Sequence, residues 1–364
     1  MMRFARLAAA IGLCAALVAC GEGSSIVSGC PTCGPHTVTS ALSNGTLSAW
    51  QQLPAMPHPR ANHCAVAING YLLVLGGNYL DPVSGNFVNV PTVDAAPLLP
   101  DGTLGGWVQS PLPNPMSQCT AAAGNDSSLY IVDGLFDDDV HFGGRTWRGT
   151  VASDGTVGGW TLMGLLPKNV RILSDQAWVV GTNLVAMNSP IFADGTGNSS
   201  GMELDLVNPG RGWTQRAWSP NFRGHALYAL SGQRAYAFGG YTPDTNAVVT
   251  DSDAVPFVLD QIVGVGIPTT PLPQPTSFGD AVAVDGYIFV VGGKPAIFGA
   301  AGVPDTFAAP INGDGTLGAW APAMALPQGR TDQRVTLGGS YLYVTGGGFD
   351  GPGVDTVFAA QVRF

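Results

Sequence analysis

The sequence predicts an all-β fold, a ring of six similar four-stranded sheets, and three observations lead to this prediction. Composition is the first: only 11% of the 364 residues are charged, whereas 51 are glycine and 28 are proline, as expected for short strands joined by tight turns. The second is a tryptophan motif that recurs every 53 to 57 residues, and the third is a glycine pair that follows it. Antiparallel units of this size bury both faces by stacking radially, which is the architecture of a six-bladed β-propeller.

The recurring motif joins a turn sequence, in most copies Asn-Gly or Asp-Gly, to a tryptophan. Its copies are Asn44 to Trp50, Asp101 to Trp107, Asp154 to Trp160, Asn208 to Trp213 and Asp314 to Trp320. A degenerate copy has Gly266 where the tryptophan would stand. Because apolar residues flank the dipeptides, we predict hairpin turns in which glycine takes a positive φ.

A glycine pair closes an apolar strand downstream of each tryptophan. The pairs are Gly76-Gly77, Gly239-Gly240, Gly292-Gly293 and Gly346-Gly347, with Asp133-Gly134 and Asn188-Ser189 as weaker copies. The distance from the tryptophan, or from Gly266, to the first residue of the pair is 26 positions in five copies and 28 in the third. This constancy predicts units of one topology.

Each unit divides into four strands, A to D. In the first complete unit we predict strand A at 64–68, strand B at 71–75, strand C at 92–98 and strand D beginning near Trp107. Large rings at a repeated position usually belong to a core, so we expect the strand D tryptophans to lie between neighbouring sheets. The alternative is that they stack on a ligand.

The two ends of the chain are expected to share the last sheet. Residues 354–364 repeat the strand C sequence of residues 303–311 and then stop, so the last unit lacks a strand D. The segment around Trp50 is a strand D with no strand A or B before it, and we predict that it closes the ring against the carboxyl-terminal strand. Residues 37–42 also resemble a strand C and would be surplus.

These features resemble the kelch-repeat family over roughly residues 37–364. The resemblance rests on the glycine pair after an apolar strand, on Arg60-Ala-Asn-His63 before strand A, and on the tryptophan of the following strand D. It implies a propeller of four-stranded blades, with irregular blades where Asp133-Gly134 and Asn188-Ser189 replace the double glycine. Some kelch relatives are enzymes, such as galactose oxidase and the sialic-acid mutarotases.

Cofactor chemistry of the kelch type is not expected in this chain. Copper oxidation in that family needs a tyrosine crosslinked to cysteine, a second tyrosine and two histidines. The chain has five histidines, and no cysteine stands beside such a set. The sequence also lacks a nucleophile elbow, a phosphate-binding loop, a metalloprotease helix and a dinucleotide fingerprint. We therefore predict no cofactor and assign no catalytic residues.

The amino terminus, residues 1–19, is typical of a bacterial lipoprotein export signal. Arg3 and Arg6 precede an apolar stretch that is too short to cross a bilayer comfortably, and small residues then lead to Cys20. The resemblance to lipoprotein signals implies that Cys20 is lipidated. The alternative is an ordinary signal peptide that merely contains a cysteine.

Residues 20–36 are rich in glycine, serine and proline, and they predict a flexible tether before a propeller domain at 37–364. Gly21 follows the cysteine where aspartate would signal inner-membrane retention in enteric-type sorting, so we expect an outer-membrane protein that faces the periplasm or the cell surface. A net charge of −10 argues against nucleic acid as a partner. The expected partners are the membrane, through the lipid, and a protein or glycan ligand.

Antiparallel strand order assigns the loops of each unit to two faces. The loops between strands B and C and between D and A lie on one face, called the loop face below, and the short A–B and C–D turns lie on the other, the turn face. The loop face has the long variable loops, so we expect binding residues there. Ten positions after the tryptophan stand Arg60, Ser117, Arg223, Thr276 and Arg330. The candidate binding ring around them consists of Arg60, Asn62, His63, Gln118, Arg171, Asp175, Arg223, His225, Asp280, Arg330, Asp332 and Arg334.

Two interpretations of this ring remain open. If the arginines converge, their fork-shaped donors would hold a carboxylate, a phosphate or a sugar. Otherwise each arginine pairs with a neighbouring aspartate or caps loop carbonyls. Convergence would suit a ligand- or protein-binding module, the preferred function. It would also suit the alternative, a mutarotase- or lyase-like carbohydrate enzyme in which His63 or His225 is the general acid or base.

The remaining cysteines and acidic clusters give weaker predictions. Cys64 and Cys119 lie on strand A of adjacent units, so a bridge between them is our first choice, with Cys30 and Cys33 pairing locally. Neither a redox-active thiol nor a zinc site has supporting residues around that local pair. Two acidic clusters are weak calcium candidates without the spacing of a defined calcium loop, and a solvated surface is the alternative. These clusters are Asp137, Asp138 and Asp139, and Asp251 and Asp253.

Overall fold

The computed structural model describes residues 45–132, 144–167, 170–171, 176–188, 191–192, 199–219, 223–348 and 353–364. The export signal, Cys20, the tether and the surplus segment 37–42 lie outside these ranges. No helix in the described part of the chain is long and apolar enough to cross a membrane.

Six antiparallel sheets form the blades, and their strands are numbered along the chain. Blade 1 contains β3 (Cys64–Ile68), β4 (Tyr71–Leu75), β7 (Thr92–Pro97) and β8 (Val108–Pro111). Blade 2 contains β9 (Thr120–Ala123), β10 (Ser128–Val132), β11 (Arg145–Val151) and β12 (Val157–Leu165). Blade 3 contains β14 (Gln176–Val180), β15 (Asn183–Asn188), β17 (Ser199–Asp205) and β18 (Trp213–Ser219). Blade 4 contains β19 (Leu227–Ser231), β20 (Arg234–Phe238), β23 (Ser252–Val258), β24 (Gln261–Ile262) and β25 (Ile267–Pro268).

Blade 5 contains β26 (Asp280–Val284), β27 (Tyr287–Val291), β28 (Thr306–Pro310) and β29 (Ala321–Pro322). Blade 6 contains β30 (Arg334–Gly338), β31 (Tyr341–Thr345), β32 (Val357–Arg363), β1 (Thr46–Leu47) and β2 (Gln51–Leu53). Two B–C loops form short hairpins. In blade 1, β5 (Asn78–Leu80) pairs with β6 (Phe87–Asn89), and in blade 4, β21 (Tyr241–Thr242) pairs with β22 (Ala247–Val248). A further short pair consists of β13 (Val170–Arg171) and β16 (Ile191–Phe192). A 3-10 turn covers Pro209–Arg211.

The predicted all-β, six-bladed propeller is confirmed. Strands A and B of blade 1 have the predicted bounds, and strand C ends at Pro97, one residue early. Blades 2 and 3, which lack the double glycine, retain four strands. The register shifts between β11 and β12 in blade 2, and between β17 and β18 in blade 3. Loss of the glycine pair therefore coincides with local irregularity rather than with loss of a strand.

Ring closure also follows the prediction. The carboxyl-terminal strand β32 pairs with β31 on one edge and with β1 and β2 on the other. Thr46 lies opposite Arg363, and Gln51 lies opposite Ala359. Both ends of the propeller therefore belong to blade 6, where main-chain hydrogen bonds close the ring.

The Asp-Gly-Thr turns are held by the aspartate side chain. The carboxylate of Asp101 accepts hydrogen bonds from the backbone N–H and the hydroxyl of Thr103, at 3.0 and 2.6 Å, and Asp154 and Asp314 make the same pair of bonds. These bonds lower the pKa of all three aspartates. The glycines that follow have φ of 81°, 85° and 82°, which confirms the predicted positive φ.

The turn glycine also makes room for the preceding blade. A Cβ at Gly102 would lie 2.2 Å from the ring of Tyr341, and one at Gly155 would lie 2.5 Å from the ring of Tyr71. Both tyrosines begin the second strand of the preceding blade. One residue of the repeat therefore permits both the turn and the packing between blades.

The strand D tryptophans lie between blades, as predicted, rather than on an open ligand surface. The indole N–H of Trp50 donates to the carbonyl of Met324 at 2.8 Å, and that of Trp160 donates to the carbonyl of Pro111 at 3.1 Å. Trp320 donates in the same way across the preceding interface. These three indoles thus bond to the preceding blade, whereas the indole N–H of Trp107 is buried without a hydrogen-bond partner among the described residues.

The degenerate copy at Gly266 has a structural explanation. Trp218, at the end of the last strand of blade 3, is 1% exposed and packs in the cluster shared by blades 3 and 4. A Cβ at Gly266 would lie 3.0 Å from the Trp218 ring. Blade 4 lacks a tryptophan of its own because a neighbouring tryptophan already occupies that space.

Candidate functional site

The first strands of the six blades surround the axis of the propeller. Each contacts the first strands of both neighbouring blades, around the complete ring from β3 through β9, β14, β19, β26 and β30. All six begin on the loop face. Their first residues are Cys64, Thr120, Gln176, Leu227, Asp280 and Arg334.

A collar of left-handed residues surrounds the loop-face end of this axis. Two positions before the first strand, the five residues that the structure describes are all non-glycine and have φ between 47° and 58°. These collar residues are Asn62, Gln118, His225, Phe278 and Asp332. Such conformations cost about 1 to 3 kcal/mol each and persist only where the surroundings enforce them.

Main-chain hydrogen bonds between blades enforce the collar. The N–H of Gln118 donates to the carbonyl of Asn62 at 2.6 Å, and that of Asn62 donates to Asp332 at 3.3 Å. Asp332 donates to Phe278 at 2.8 Å, and Phe278 donates to His225 at 3.2 Å. Each collar residue in these pairs bonds to its counterpart in the preceding blade.

Three side chains cross the axis beneath the collar and form what we call the axial plug: Gln176, Asp280 and Arg334. The amide of Gln176 donates to the Asp280 carboxylate at 2.6 Å, from blade 3 to blade 5. Arg334 in blade 6 donates to the carbonyls of His63 and Cys119, in blades 1 and 2, at 2.9 and 3.4 Å. Burial raises the pKa of Asp280, against the opposing effect of Arg334.

The repeated arginines do not converge on the axis. Arg60 pairs with Asp94 and donates to the carbonyl of Gly76 at 2.9 Å, so both of its partners belong to its own blade. Burial lowers the pKa of Arg60 to about 10, although the Asp94 carboxylate opposes this shift.

The equivalent arginines of blades 4 and 6 make the same kind of contacts. Arg223 bonds to the carbonyl of Asp251 at 2.8 Å and to the carboxylate of Asp253 at 2.7 Å, and Arg330 bonds to the carbonyl of Gly346 at 2.7 Å and to the Thr356 hydroxyl. These contacts correspond to the second interpretation of the ring, in which arginines hold loops together.

The two histidines of the ring occupy different surroundings. His63 is fully buried and shares a hydrogen bond of 2.8 Å with the Thr345 hydroxyl. Burial lowers its pKa well below 6.5, and nearby arginines reinforce this effect, so the imidazole is neutral. His225 stacks on Phe278 with ring centroids 4.0 Å apart. The two histidines therefore do not form a common acid–base site.

One buried cation was not anticipated. Lys294 is 2% exposed, and its Nζ lies 4.7 Å from the centre of the Phe278 ring, a cation–π geometry. It directly follows the glycine pair of blade 5. The sequence could have identified Lys294 as unusual, because the residues that follow the corresponding pair in the other blades are uncharged.

Above the plug, described residues of the loop face line a small depression at the axis. A cavity of about 10 Å³ lies there, lined by side chains including Asn62, His225, Phe278, Asp332 and Arg334. This volume corresponds to about one water molecule. This small cavity, lined by described residues, is too small for a sugar ring.

The loops around this depression expose large apolar side chains. The β5–β6 hairpin of blade 1 presents Val83 and Phe87, which are 93% and 59% exposed. Phe298 in the B–C loop of blade 5 is 77% exposed. Isolated apolar residues are common on surfaces, but these lie at the tips of loops on one face.

The other candidate residues are placed as follows. Cys64, the first residue of β3, and Cys119, which directly precedes β9, form a disulfide between blades 1 and 2, with Cα atoms 5.5 Å apart. Arg171 lies in β13. In the described part of the chain no group of His, Cys, Asp and Glu side chains is arranged to hold a metal ion. Asp137, Asp138, Asp139, Asp175, Cys30 and Cys33 lie outside the described residues.

Comparison with known proteins bears on the fold alone. No protein-family model matches the sequence, and no curated protein matches it. The chain is similar to the solved structure of YjhT, with a TM-score of 0.63 and 14% sequence identity, over 86% of this chain and 99% of that one. At this identity the similarity shows a shared fold.

Proposed function

We propose that this protein is an envelope-anchored binding module that holds a protein or glycan ligand with the long loops of its loop face. The observation that carries the proposal is the combination of a closed axis with apolar loop tips. The plug and collar fill the axial end of the loop face, whereas Val83, Phe87 and Phe298 are exposed around it. Exposed aromatic side chains such as Phe87 and Phe298 are the type of residue that is enriched in macromolecular interfaces.

The blade 1 hairpin supports this proposal because it is ordered before any ligand binds. The Asp81 carboxylate accepts hydrogen bonds from the Val83 N–H at 3.1 Å and from the Ser84 hydroxyl at 2.7 Å. At its base, Asn78 exchanges main-chain hydrogen bonds with Ala61, next to the collar. A preorganised loop loses little conformational entropy on binding.

The enzyme alternative has less support. It requires arginine and histidine side chains that converge on a concave pocket. Arg60, Arg223 and Arg330 instead make their contacts within separate blades, and His63 is buried. No observation on the described residues favours this alternative over binding.

The binding proposal is tested with the propeller unit, residues 42–364, which is a compact unit of the chain. We would measure saturable binding of this unit to immobilised envelope glycans and envelope proteins. The same measurement is made on a loop variant, Val83→Asp/Phe87→Ser, and on a control variant, Val207→Asp/Leu259→Ser. The control residues are exposed in C–D turns on the turn face. We expect the loop variant to bind at least about tenfold more weakly and the control to bind normally.

Two results would contradict the proposal: no saturable binding to either class of ligand, or equal affinity for the loop variant and the unchanged unit. Anchoring is tested separately in cells. Cys20→Ser should move the protein from the membrane to the soluble fraction if Cys20 bears the lipid, and continued membrane association would exclude the proposed anchor.

A further inference from the structure

The chain that precedes the propeller joins it at the turn face of blade 6. Thr46 in β1 lies opposite Arg363, near the end of the carboxyl-terminal strand, so Gly45 occupies the C–D turn of this blade. A Cβ at Gly45 would lie 2.8 Å from the ring of Tyr287, the same type of contact that other C–D turn glycines make with the preceding blade. The segment that connects Cys20 to the propeller is therefore attached at the turn face.

The length of this segment limits how far the propeller can move from a lipid on Cys20. Residues 20–44 number 25. A flexible chain of that length has a root-mean-square end-to-end distance of about 25 to 30 Å. A compact unit with as many residues as 42–364 has a radius of gyration of about 20 Å. A membrane that holds the lipid would thus stay within about one propeller diameter, and the turn face is the face tied to it.

Exposed aliphatic side chains are concentrated at the turn-face end of blade 4. Within the ten residues 258–267, five aliphatic side chains are between 37% and 89% exposed. Val258 and Leu259 stand at the C–D turn, and the other three lie along the outermost segment of the blade. These three are Val263, Val265 and Ile267. The aliphatic strip therefore begins on the turn face and continues along the outer edge.

The C–D turn of blade 3 extends this strip. Val207 in that turn is 68% exposed. Asn183 is paired with Asp205, two residues before Val207, and its side-chain amide donates to the carbonyl of Asp260 in blade 4 at 3.0 Å. The two C–D turns are therefore neighbours. We call the combined set the blade 4 corner: Val207, Val258, Leu259, Val263, Val265 and Ile267.

Packing within the propeller does not account for the blade 4 corner. Trp218 already fills the space between blades 3 and 4, and the aliphatic side chains of the corner point to solvent. The corresponding outer strands of blades 1 and 6 expose polar residues instead, Gln109, Gln51 and Gln52. Single exposed apolar residues are common, whereas a group of them marks a surface that contacts a protein or a membrane.

Charge on the turn face restricts the type of membrane. The C–D turn of blade 3 carries Arg211, but those of blades 1, 2, 4 and 5 each carry an aspartate. These aspartates are Asp101, Asp154, Asp260 and Asp314. Anionic headgroups would be repelled by this excess of carboxylates, so the turn face suits a lipid surface without net charge.

We propose that the blade 4 corner inserts into a lipid surface without net charge and orients the propeller with its turn face toward the membrane. This inference rests on the lipid anchor at Cys20 that forms part of the proposed function. Because the anchor supplies the affinity for the membrane, insertion of a few aliphatic side chains is sufficient to select one orientation. The long loops of the loop face then point away from the lipid, where a protein or glycan can reach them.

The test uses the full lipidated chain on vesicles of phosphatidylcholine and phosphatidylethanolamine. A phosphatidylcholine with a diazirine group in its acyl chain is included, and the labelled peptides are mapped after irradiation. We expect peptides that cover residues 258–267 to be labelled at least about fivefold more than those that cover the β5–β6 hairpin. Addition of phosphatidylglycerol to the vesicles should not increase this labelling, because the turn face carries more carboxylates than cations.

Two variants separate the blade 4 corner from other exposed apolar residues. Leu259→Asn/Val265→Ser removes apolar side chains without adding charge, and asparagine tolerates the φ of 49° at residue 259. It should reduce labelling of the corner, including the unchanged peptide around Val207, at least about fivefold. The matched control, Leu162→Ser/Leu165→Ser, replaces two exposed leucines on the outer strand of blade 2 and should leave the labelling unchanged. Circular dichroism checks that both variants are folded.

The proposal is overturned if the corner is labelled no more than the hairpin, if Leu259→Asn/Val265→Ser is labelled like the unchanged protein, or if phosphatidylglycerol increases the labelling. It is also overturned if the corner instead joins two copies of the chain. In that case light scattering would show a dimer for the propeller unit and a monomer for the same unit with Leu259→Asn/Val265→Ser.

Failure of this inference can be distinguished from failure of the proposed function. Loop-face binding is measured on the propeller unit without lipid, so its loss would leave the labelling result intact. The anchor is measured by sedimentation of the full chain with the vesicles, and both variants should still sediment because Cys20 is unchanged. A full chain that did not sediment would overturn the anchor and this orientation together.

Discussion

The backbone N–H of Gln118 donates to the carbonyl of Asn62 at 2.6 Å, and this bond joins two residues that both have left-handed backbone conformations. It is one of four such bonds in the described part of the collar. The collar couples neighbouring blades through main-chain atoms, independently of the side chains. Side-chain identity at these positions is therefore free to vary as long as the backbone tolerates φ near +50°.

This relationship predicts how substitutions at Gln118 affect stability. Gln118→Val should lower the free energy of unfolding by about 1 to 3 kcal/mol relative to Gln118→Gly, because a β-branched residue is strained at φ of 53° and glycine is not. Urea denaturation of both variants measures the difference. Equal stability of the two would show that the left-handed conformation is not required there.

The disulfide between Cys64 and Cys119 should stabilise the junction of blades 1 and 2. The bridge spans 55 residues, and a double alanine variant should lose about 2 to 4 kcal/mol of unfolding free energy. The melting temperature of the unchanged protein should fall on addition of a reducing agent, whereas that of the variant should not change. A reducing agent that affects both proteins alike would contradict this assignment.

Gly155 should be intolerant of a side chain for two reasons that can be separated. Gly155→Ala introduces both strain at φ of 85° and a clash with Tyr71, so we expect a loss of about 2 kcal/mol or more. Gly85→Ala is the matched control, since φ is 68° there and nothing lies within 4 Å of the added Cβ. It should cost about 1 kcal/mol from the left-handed conformation alone. Comparable losses would indicate that the Tyr71 contact does not constrain the turn.

Restoring the repeat at Gly266 should destabilise the protein. Gly266→Trp adds a ring where Trp218 already fills the space between blades 3 and 4, and we expect a loss of at least about 2 kcal/mol. Combining it with Trp218→Ala should recover part of that loss. If Gly266→Trp alone increased stability in denaturant titration, the explanation for the degenerate copy would be wrong.

Stability should fall on mild acidification because of His63. Its folded-state pKa is lowered by burial and by the charges of Arg60, Arg334 and Arg330, so below pH 6.5 the unfolded chain takes up a proton that the folded protein does not. This residue should remove up to about 1.4 kcal/mol of unfolding free energy per pH unit below that point. His63→Gln should show a smaller loss between about pH 7.5 and about pH 5.5, measured by urea unfolding at each pH. Parallel pH profiles would refute this role.

Much of the fold was predictable because the repeat is local in sequence. Asp101, Gly102 and Thr103 form their turn from contacts within a few residues, and the distance from each tryptophan to its glycine pair determines the length of the strands between them. Closure could be deduced by counting strands, because the last unit was one strand short and the first segment had one in excess. The disulfide between Cys64 and Cys119 could likewise be predicted, because the two cysteines stand close to the start of the first strands of adjacent units.

The candidate site could not be resolved in this way. The sequence assigns both Arg60 and Arg334 to the candidate ring, yet the first pairs within its own blade and the second crosses the axis to two other blades. Asn62 and Asp332 are residue types that tolerate the left-handed region, but Phe278 in the same collar has no such signal.

The sequence by itself determined the number of blades, their strand order and the ring closure, because these depend on periodicity and on turns formed by neighbouring residues. Only the tertiary structure decided that the arginines hold loops together and that Gln176 meets Asp280 across the axis. The physical reason is that these contacts join residues 104 positions apart in the case of Gln176 and Asp280. Such contacts depend on the diameter and curvature of the closed ring, which no single repeat specifies.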